Sequence, residues 1–377
     1  MRGAGMRILV VGAGIAGLAV ARTLRDWGAA VEILERRPAP PREGTGIYLP
    51  GNAVRALDTL GLGAQVADLA VHIRRQRTAD HRGRVLFDVD VDELWNGVGP
   101  CLALPRTDLH RVLLGGIDDV PIRWGQTPAL IAPDGAGVIV QRAEGHTDQY
   151  DLVLGADGVH STVRQLVFDT EAVHPLGQYA WRFLALGGEP TQHDGQAAMW
   201  SVLLGSGSAF LTIPIGNGHV YCYCDGPLDD PPASLRDLLS DYAEPVPTLL
   251  DALDTIGGAT AVHATQVEEV VLGSWSRRGV LLIGDAAHAT SPNMTQGAAM
   301  ALEDAIVLAE SLTAADSVAE ALSVYEHRRR PRTDWVLVQT HHRDRARTLP
   351  PVIRSTVLKR LGRRIFRSNY RPLRAQP

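Results

Sequence analysis

A chain of 377 residues with 45% hydrophobic and 21% charged side chains exceeds the usual size of one core, so two lobes, or a large domain carrying an inserted sheet, are expected. The composition excludes a disordered, collagenous or disulfide-scaffolded protein. A net charge of -5 and a pI of about 6.2 give no overall electrostatic case for nucleic acid or an anionic membrane.

From the N-terminus, an Arg followed by apolar residues over 1–20 has the outline of a signal peptide, but the glycines within it argue otherwise. Ile8-Leu9-Val10-Val11 is the continuous apolar run of a parallel strand buried on both faces, and residues 15–27 follow with helical spacing. Gly28 closes that helix, and 31–34 is the next strand, which makes a βαβ unit. Asn52 is expected to cap a helix over 53–60, with Gly61 at its C-terminal end. Residues 83–92 alternate as a strand, 106–114 read as a helix, and 137–141 and 151–154 as strands. From 173 to 271 the texture changes to short β-like runs such as 208–213 and 219–224, separated by Gly, Pro and Asp. Residues 280–283 return to the buried-strand pattern, and 297–312 form a helix of Ala, Leu and Met. No run of about 18 apolar residues occurs, so no transmembrane helix is expected. The arginines between Arg328 and Arg374, Arg329, Arg332, Arg347 and Arg354 among them, read as the solvated face of C-terminal helices. Three cysteines, Cys101, Cys222 and Cys224, cannot make a paired framework and fit a reducing cytoplasm.

Three segments carry chemistry. In Gly12-Ala13-Gly14-Ile15-Ala16-Gly17, between a strand and a helix, Gly12 permits the turn, Gly14 lets a pyrophosphate approach the backbone, and Gly17 lets helix and strand pack closely. Glu35, ending the next strand, can accept bonds from ribose hydroxyls. The motif signals a dinucleotide without separating FAD from NAD. Asp151 to Arg164 and Gly279 to Met300 repeat one design: a buried strand delivers an acid, Asp157 or Asp285, to the carboxyl edge of the sheet. Ala298 and Ala299 leave room for a flat ring at a helix N-terminus. His288 is open to two readings, a proton relay or a packed loop residue.

Taken together, GAGIAG with Glu35-Arg36, DGVHSTVR and GDAAHATSPNMTQGAAMALEDA resemble the single-component FAD monooxygenases of the para-hydroxybenzoate hydroxylase fold, over roughly residues 6–312. The resemblance implies an α/β fold: a Rossmann-like FAD-binding (GR2-type) domain from 1–75, 100–172 and 272–345, an inserted mainly β substrate domain from 76–99 and 173–271, and a basic C-terminal helical segment at 346–377. It implies noncovalent FAD held by Gly12, Gly14, Ile15, Ala16, Gly17, Glu35, Arg36, Tyr48, Arg106, Asp157, Asp285, Gly297, Ala298 and Ala299. NAD(P)H would reduce the flavin, and O2 would form a flavin C4a-hydroperoxide that oxygenates an aromatic or polyketide-like small molecule. Nucleic acid and membrane contact are not expected, and the cytoplasm is the expected location. Two departures stand out: Met294-Thr295 precedes Gln296 where the family usually has Gly or Leu, and Ala209 stands where urate-hydroxylating relatives carry Arg. Arg182 and Tyr221, on expected strands of the sheet-rich lobe, are the candidate polar residues of the substrate pocket. A same-fold reductase or desaturase without oxygen insertion, and a non-catalytic flavin-binding protein, remain open on sequence alone.

Overall fold

The computed structural model describes residues 3–135, 137–168, 171–186, 198–227, 234–256 and 262–377; parts of the sheet-rich span 173–271 thus lie outside the described residues. The apolar run at Ile8 to Val11 is buried on both sides because it lies in the middle of a parallel sheet. Strand Arg7–Val11 pairs in parallel with Ala30–Glu35 on one side and Leu152–Gly155 on the other. Val280–Leu282 extends the sheet beyond Leu152–Gly155, Ile122–Trp124 extends it beyond Ala30–Glu35, and short antiparallel Ser276–Arg277 ends it. Because Arg7–Val11, Leu152–Gly155 and Val280–Leu282 run the same way, the three glycine-rich turns that follow them emerge at one edge. Helix Ile15–Asp26 packs against helix Gly297–Ala314.

A second sheet of seven strands follows the order His263–Val270, Val173–Leu186, His219–Pro227, Ala209–Gly216, Met199–Leu204, Arg75–Asp80, Val85–Asp90. All neighbours are antiparallel except Met199–Leu204 beside Arg75–Asp80. With the period of two that strands impose, Gln76 and Thr78, Trp200 and Val202, Leu211 and Ile213, and Tyr221 and Tyr223 share the face that lines the cleft. The chain ends in helix Val318–Arg347 and helix Pro351–Tyr370, the latter laid across strand Val85–Asp90. Among the described residues no helix is long and apolar enough to cross a membrane.

Two expectations are corrected. Asn52 is not a cap: the helix begins at Gly51, Pro50 is its extended N-cap, and the buried Asn52 amide instead reaches Gln296 and Glu303. Nor is the basic C-terminal stretch wholly solvated. Arg329 and Arg354 are buried, while Arg332 and Arg347 turn inward to Glu303 and Asp225. Carboxylates on neighbouring elements let Arg329, Arg332 and Arg347 leave water, while Arg354 donates to the carbonyls of Arg347 and Gly205.

Candidate functional site

Between the carboxyl edge of the parallel sheet and the inner face of the seven-stranded sheet lies a cleft of about 1340 Å³. A drug-sized ligand needs roughly 300–1,000 Å³, so this space admits a dinucleotide and a second small molecule together. Gly12, Gly14, Ile15, Ala16, Glu35, Arg36, Tyr48, Arg106, Asp157, Asp285, Gly297 and Ala298 line it, as do Arg182 and Tyr221. Gly17 and Ala299 are buried behind the wall.

The glycine turn is built for a close visitor. Gly12 has φ +108°, and a side chain there would strike the Ala156 carbonyl at the end of the neighbouring strand; at Gly14 an added Cβ would meet nothing within 4 Å, because that position faces open cleft. The residues present therefore fit a pyrophosphate approaching along the backbone at the N-terminus of helix Ile15–Asp26. Glu35 Oε2 accepts from Ala13 N at 2.7 Å, and Oε1 accepts from Arg37 N at 2.9 Å and Arg37 Nε at 3.0 Å. Burial would raise its pKa, but the bonds from Arg37 and Ala13 outweigh burial and hold Glu35 below the usual carboxylate range. From the far side, the buried His110 donates Nε2–H to Ala13 O at 2.8 Å; burial lowers its pKa and favours the neutral ring. We expect Glu35→Ala to weaken FAD binding by about tenfold to a hundredfold, the loss of one or two charge-assisted bonds. Equilibrium dialysis against FAD measures this, and an unchanged dissociation constant removes Glu35 from the site.

Asp157 stands on the wall, yet its carboxylate turns into its own loop. Oδ1 accepts from Ser161 Oγ at 2.5 Å, and Oδ2 from Thr162 N at 2.7 Å and Val163 N at 3.2 Å. Its contact with the cleft is thus the turn it stiffens. Burial moves Asp157 upward in pKa against those bonds. Asp285, by contrast, opens a short helix and is exposed to the cleft, with Oδ1 beside Gly297. Gly297 begins an 18-residue helix whose N-terminal amides favour negative charge.

At the other end of the cleft, Tyr48 packs on Trp200 with ring centroids 4.6 Å apart, away from the glycine turn where Gly12 and Glu35 lie. Arg182 donates Nη1–H to Thr265 Oγ1 at 2.7 Å and lies over the Tyr223 ring at 5.3 Å. Tyr221 is almost fully buried; burial pushes its phenol upward in pKa, partly offset by the charges of Arg182 and Arg106. It is therefore a neutral hydroxyl at neutral pH.

The sequence reading missed the scaffold beneath the site. His288 lies outside the cleft lining: its Nε2–H donates to Asp304 Oδ2 at 2.7 Å, a position that favours the packed reading. Asp304 Oδ2 also accepts from Gly284 N at 2.8 Å, and Oδ1 from Arg329 Nε at 2.7 Å. Arg329 Nη1 continues to Glu303 at 2.9 Å, and Glu303 accepts from Arg332 and Asn52, which reaches Gln296 at 3.0 Å. Gly284 and Gln296 immediately precede Asp285 and Gly297, so one buried ionic chain fixes both turns. No local motif announces it, since its members come from four helices and the N-caps of two of them.

The FAD binding domain family matches residues 5–340 of the chain. Aurachin C monooxygenase/isomerase of Stigmatella aurantiaca is 31% identical over 331 residues, 85% of this chain and 84% of that protein. The 2-heptyl-3-hydroxy-4(1H)-quinolone synthase of Pseudomonas aeruginosa is 33% identical over 349 residues, 89% of this chain and 88% of that one. The structure of Klebsiella pneumoniae HpxO with FAD and uric acid superposes with a TM-score of 0.86 at 25% identity, covering 100% of this chain and 98% of that one.

Proposed function

Because the chain belongs to the FAD binding domain family and is a flavin-dependent monooxygenase, we propose that its reductant is NAD(P)H and its substrate a small aromatic molecule held against the seven-stranded sheet. The observation that carries this reading is the single cleft shared by the glycine turn, the Asp285 and Gly297 turn, and a sheet face of aromatic and apolar side chains. When bound, FAD supplies reduction by NAD(P)H and activation of O2 for insertion into an electron-rich ring. Gly12, Gly14 and the following helix would hold the pyrophosphate, Glu35 the adenosine ribose, and Asp285 with Gly297 to Ala298 the flavin end. The sheet face excludes water and places the substrate. The two relatives named above are, by their names, a monooxygenase/isomerase of aurachin C and a synthase of 2-heptyl-3-hydroxy-4(1H)-quinolone, which supports an aromatic substrate class.

The test is direct. Purified protein should be yellow, acid precipitation should leave the flavin in the supernatant, and NAD(P)H oxidation with an accepted substrate should place label from isotopic O2 in the product. Colourless protein that FAD does not reconstitute, or product without label, would overturn the reading. Tyr221→Phe and Arg182→Ala should raise peroxide release per NAD(P)H severalfold at unchanged FAD content, because a misplaced substrate leaves activated oxygen unused. Wild-type coupling and wild-type KM in both variants would take these residues out of the substrate site.

A further inference from the structure

Strands Arg75–Asp80 and Met199–Leu204 are parallel neighbours, and their register sets Gln76 opposite Trp200. Both side chains line the cleft, Gln76 at 5% and Trp200 at 3% exposure. Gln76 Oε1 and Trp200 Nε1 are buried, and neither has a hydrogen-bond partner among the described residues. Interior polar atoms are almost always paired, so two orphans side by side on one wall call for an occupant. Thr78 shares their face of the cleft, but no described residue bonds either atom. Tyr48, packed on the indole, holds Trp200 in place.

We propose that Gln76 and Trp200 form the recognition pair for the substrate ring, and that the ring presents a neutral cis-lactam edge, with N–H and C=O on adjacent ring atoms. The Gln76 carbonyl accepts a hydrogen bond from a ring N–H, and the Trp200 indole N–H donates to a ring carbonyl oxygen. This deepens, and rests on, the aromatic-substrate reading above. The chemistry follows from what the two atoms are. One acceptor and one donor, both uncharged, complement an edge that carries one donor and one acceptor. A carboxylate has acceptors only and would set its oxygen against Gln76 Oε1 at a desolvated position, which is costly. A phenol satisfies both groups only if they converge on a single oxygen, whereas side chains on adjacent strands start about 4.8 Å apart and project in parallel. Two separate ring atoms match that spacing better. Across the cleft, Val357, Leu358 and Phe366 of the last helix provide an apolar wall for the ring face and any alkyl substituent.

The experiment uses the FAD-loaded enzyme and calorimetric titration with four probes: 2(1H)-quinolone, its N-methyl derivative, quinoline and 1-naphthoate. Wild type should bind 2(1H)-quinolone roughly ten- to a hundredfold more tightly than the N-methyl compound or quinoline, because a site built around a hydrogen bond rejects the analogue that lacks it. Gln76→Leu, or Gln76→Met should the first variant lose FAD, should abolish the preference between the quinolone and its N-methyl form. Trp200→Phe should weaken both quinolones alike and keep that preference. Equal affinity of wild type for the first three probes, tightest binding of 1-naphthoate, unchanged discrimination in the Gln76 variants, or no binding of any probe to FAD-loaded protein would each overturn the proposal. No NAD(P)H or O2 enters the titration. An enzyme that discriminates the probes yet fails to oxidise NAD(P)H would therefore sink the proposed reductant and leave the recognition pair standing.

Discussion

Replacing Arg329 with leucine should cost about 3–5 kcal/mol of stability, the usual price of stripping the partner from buried charge. That is a large share of the roughly 5–15 kcal/mol that holds a folded protein together. Arg329 is fully buried and bridges Asp304 and Glu303, themselves fully or almost fully buried. Because the same chain of bonds holds Gly284 and Gln296, FAD retention should fall with stability. Arg328→Leu is the matched control: its partner Glu310 is mostly exposed, and such a pair is worth at most about 1 kcal/mol. Denaturant melts of the two variants decide the matter, and equal, small losses would show that the buried chain is not what steadies the turns.

The pH dependence has a definite sign. Burial alone would raise the pKa of Asp304, but the charges of His288 and Arg329, with the bonds from His288 and Gly284, hold it well below the usual carboxylate range. In the wild type its contribution is present above the unfolded value of about 3.9 and fades as the pH falls toward the folded value. Without Arg329 the burial effect gains and the folded value rises, so the native state of the variant holds its proton longer. The deficit of Arg329→Leu should therefore be larger at pH 7 than at pH 4. A deficit that shrinks as the pH rises would contradict this.

A second large effect is expected at Gly17. A methyl group there would collide with the Gly12 carbonyl, a backbone atom that no rotamer change can move. Gly17→Ala must push helix Ile15–Asp26 off the sheet or distort the turn at Gly12. Since that helix also packs on helix Gly297–Ala314, both cofactor-facing helix N-termini shift together. FAD affinity should drop by more than in Glu35→Ala, beyond a hundredfold, with loss of the holoenzyme on gel filtration. Retained FAD at wild-type affinity would mean that the helix yields without moving the turn. Gly14→Ala separates crowding from occupancy: its Cβ meets open space, so the apoprotein should stay as stable as wild type while pyrophosphate binding weakens.

The parallel sheet and its turns were legible because their signals are local. A strand buried on both faces must be continuously apolar, as at Ile8 to Val11 and Leu152 to Leu154, and a turn that brings phosphate to the backbone must be glycine, as at Gly12 and Gly14. Strands such as Val85–Asp90 and helix Arg106–Leu114 emerged within a residue or two of the expected bounds. Periodicity and punctuation act over a few residues, and a single chain displays them directly.

What only the tertiary structure decided depends on partners distant in sequence. Asn52 looked like a helix cap because Asn suits that position, but the helix already begins at Gly51 behind Pro50, and a partner 251 residues away at Glu303 claims the amide. The arginines after Arg328 looked solvated because long cationic side chains usually are; Asp304, Glu303 and Asp225 made it possible to bury three of them wholly or in part. Gln76 and Trp200 carried no motif and became a pair only when two strands more than a hundred residues apart were laid side by side. Local propensity fixes which backbone a segment prefers, while desolvation of charge and pairing of buried polar groups are settled by whatever the fold brings within hydrogen-bond reach. The glycine-turn end of this cleft belongs to the first kind of information and its seven-stranded-sheet end to the second.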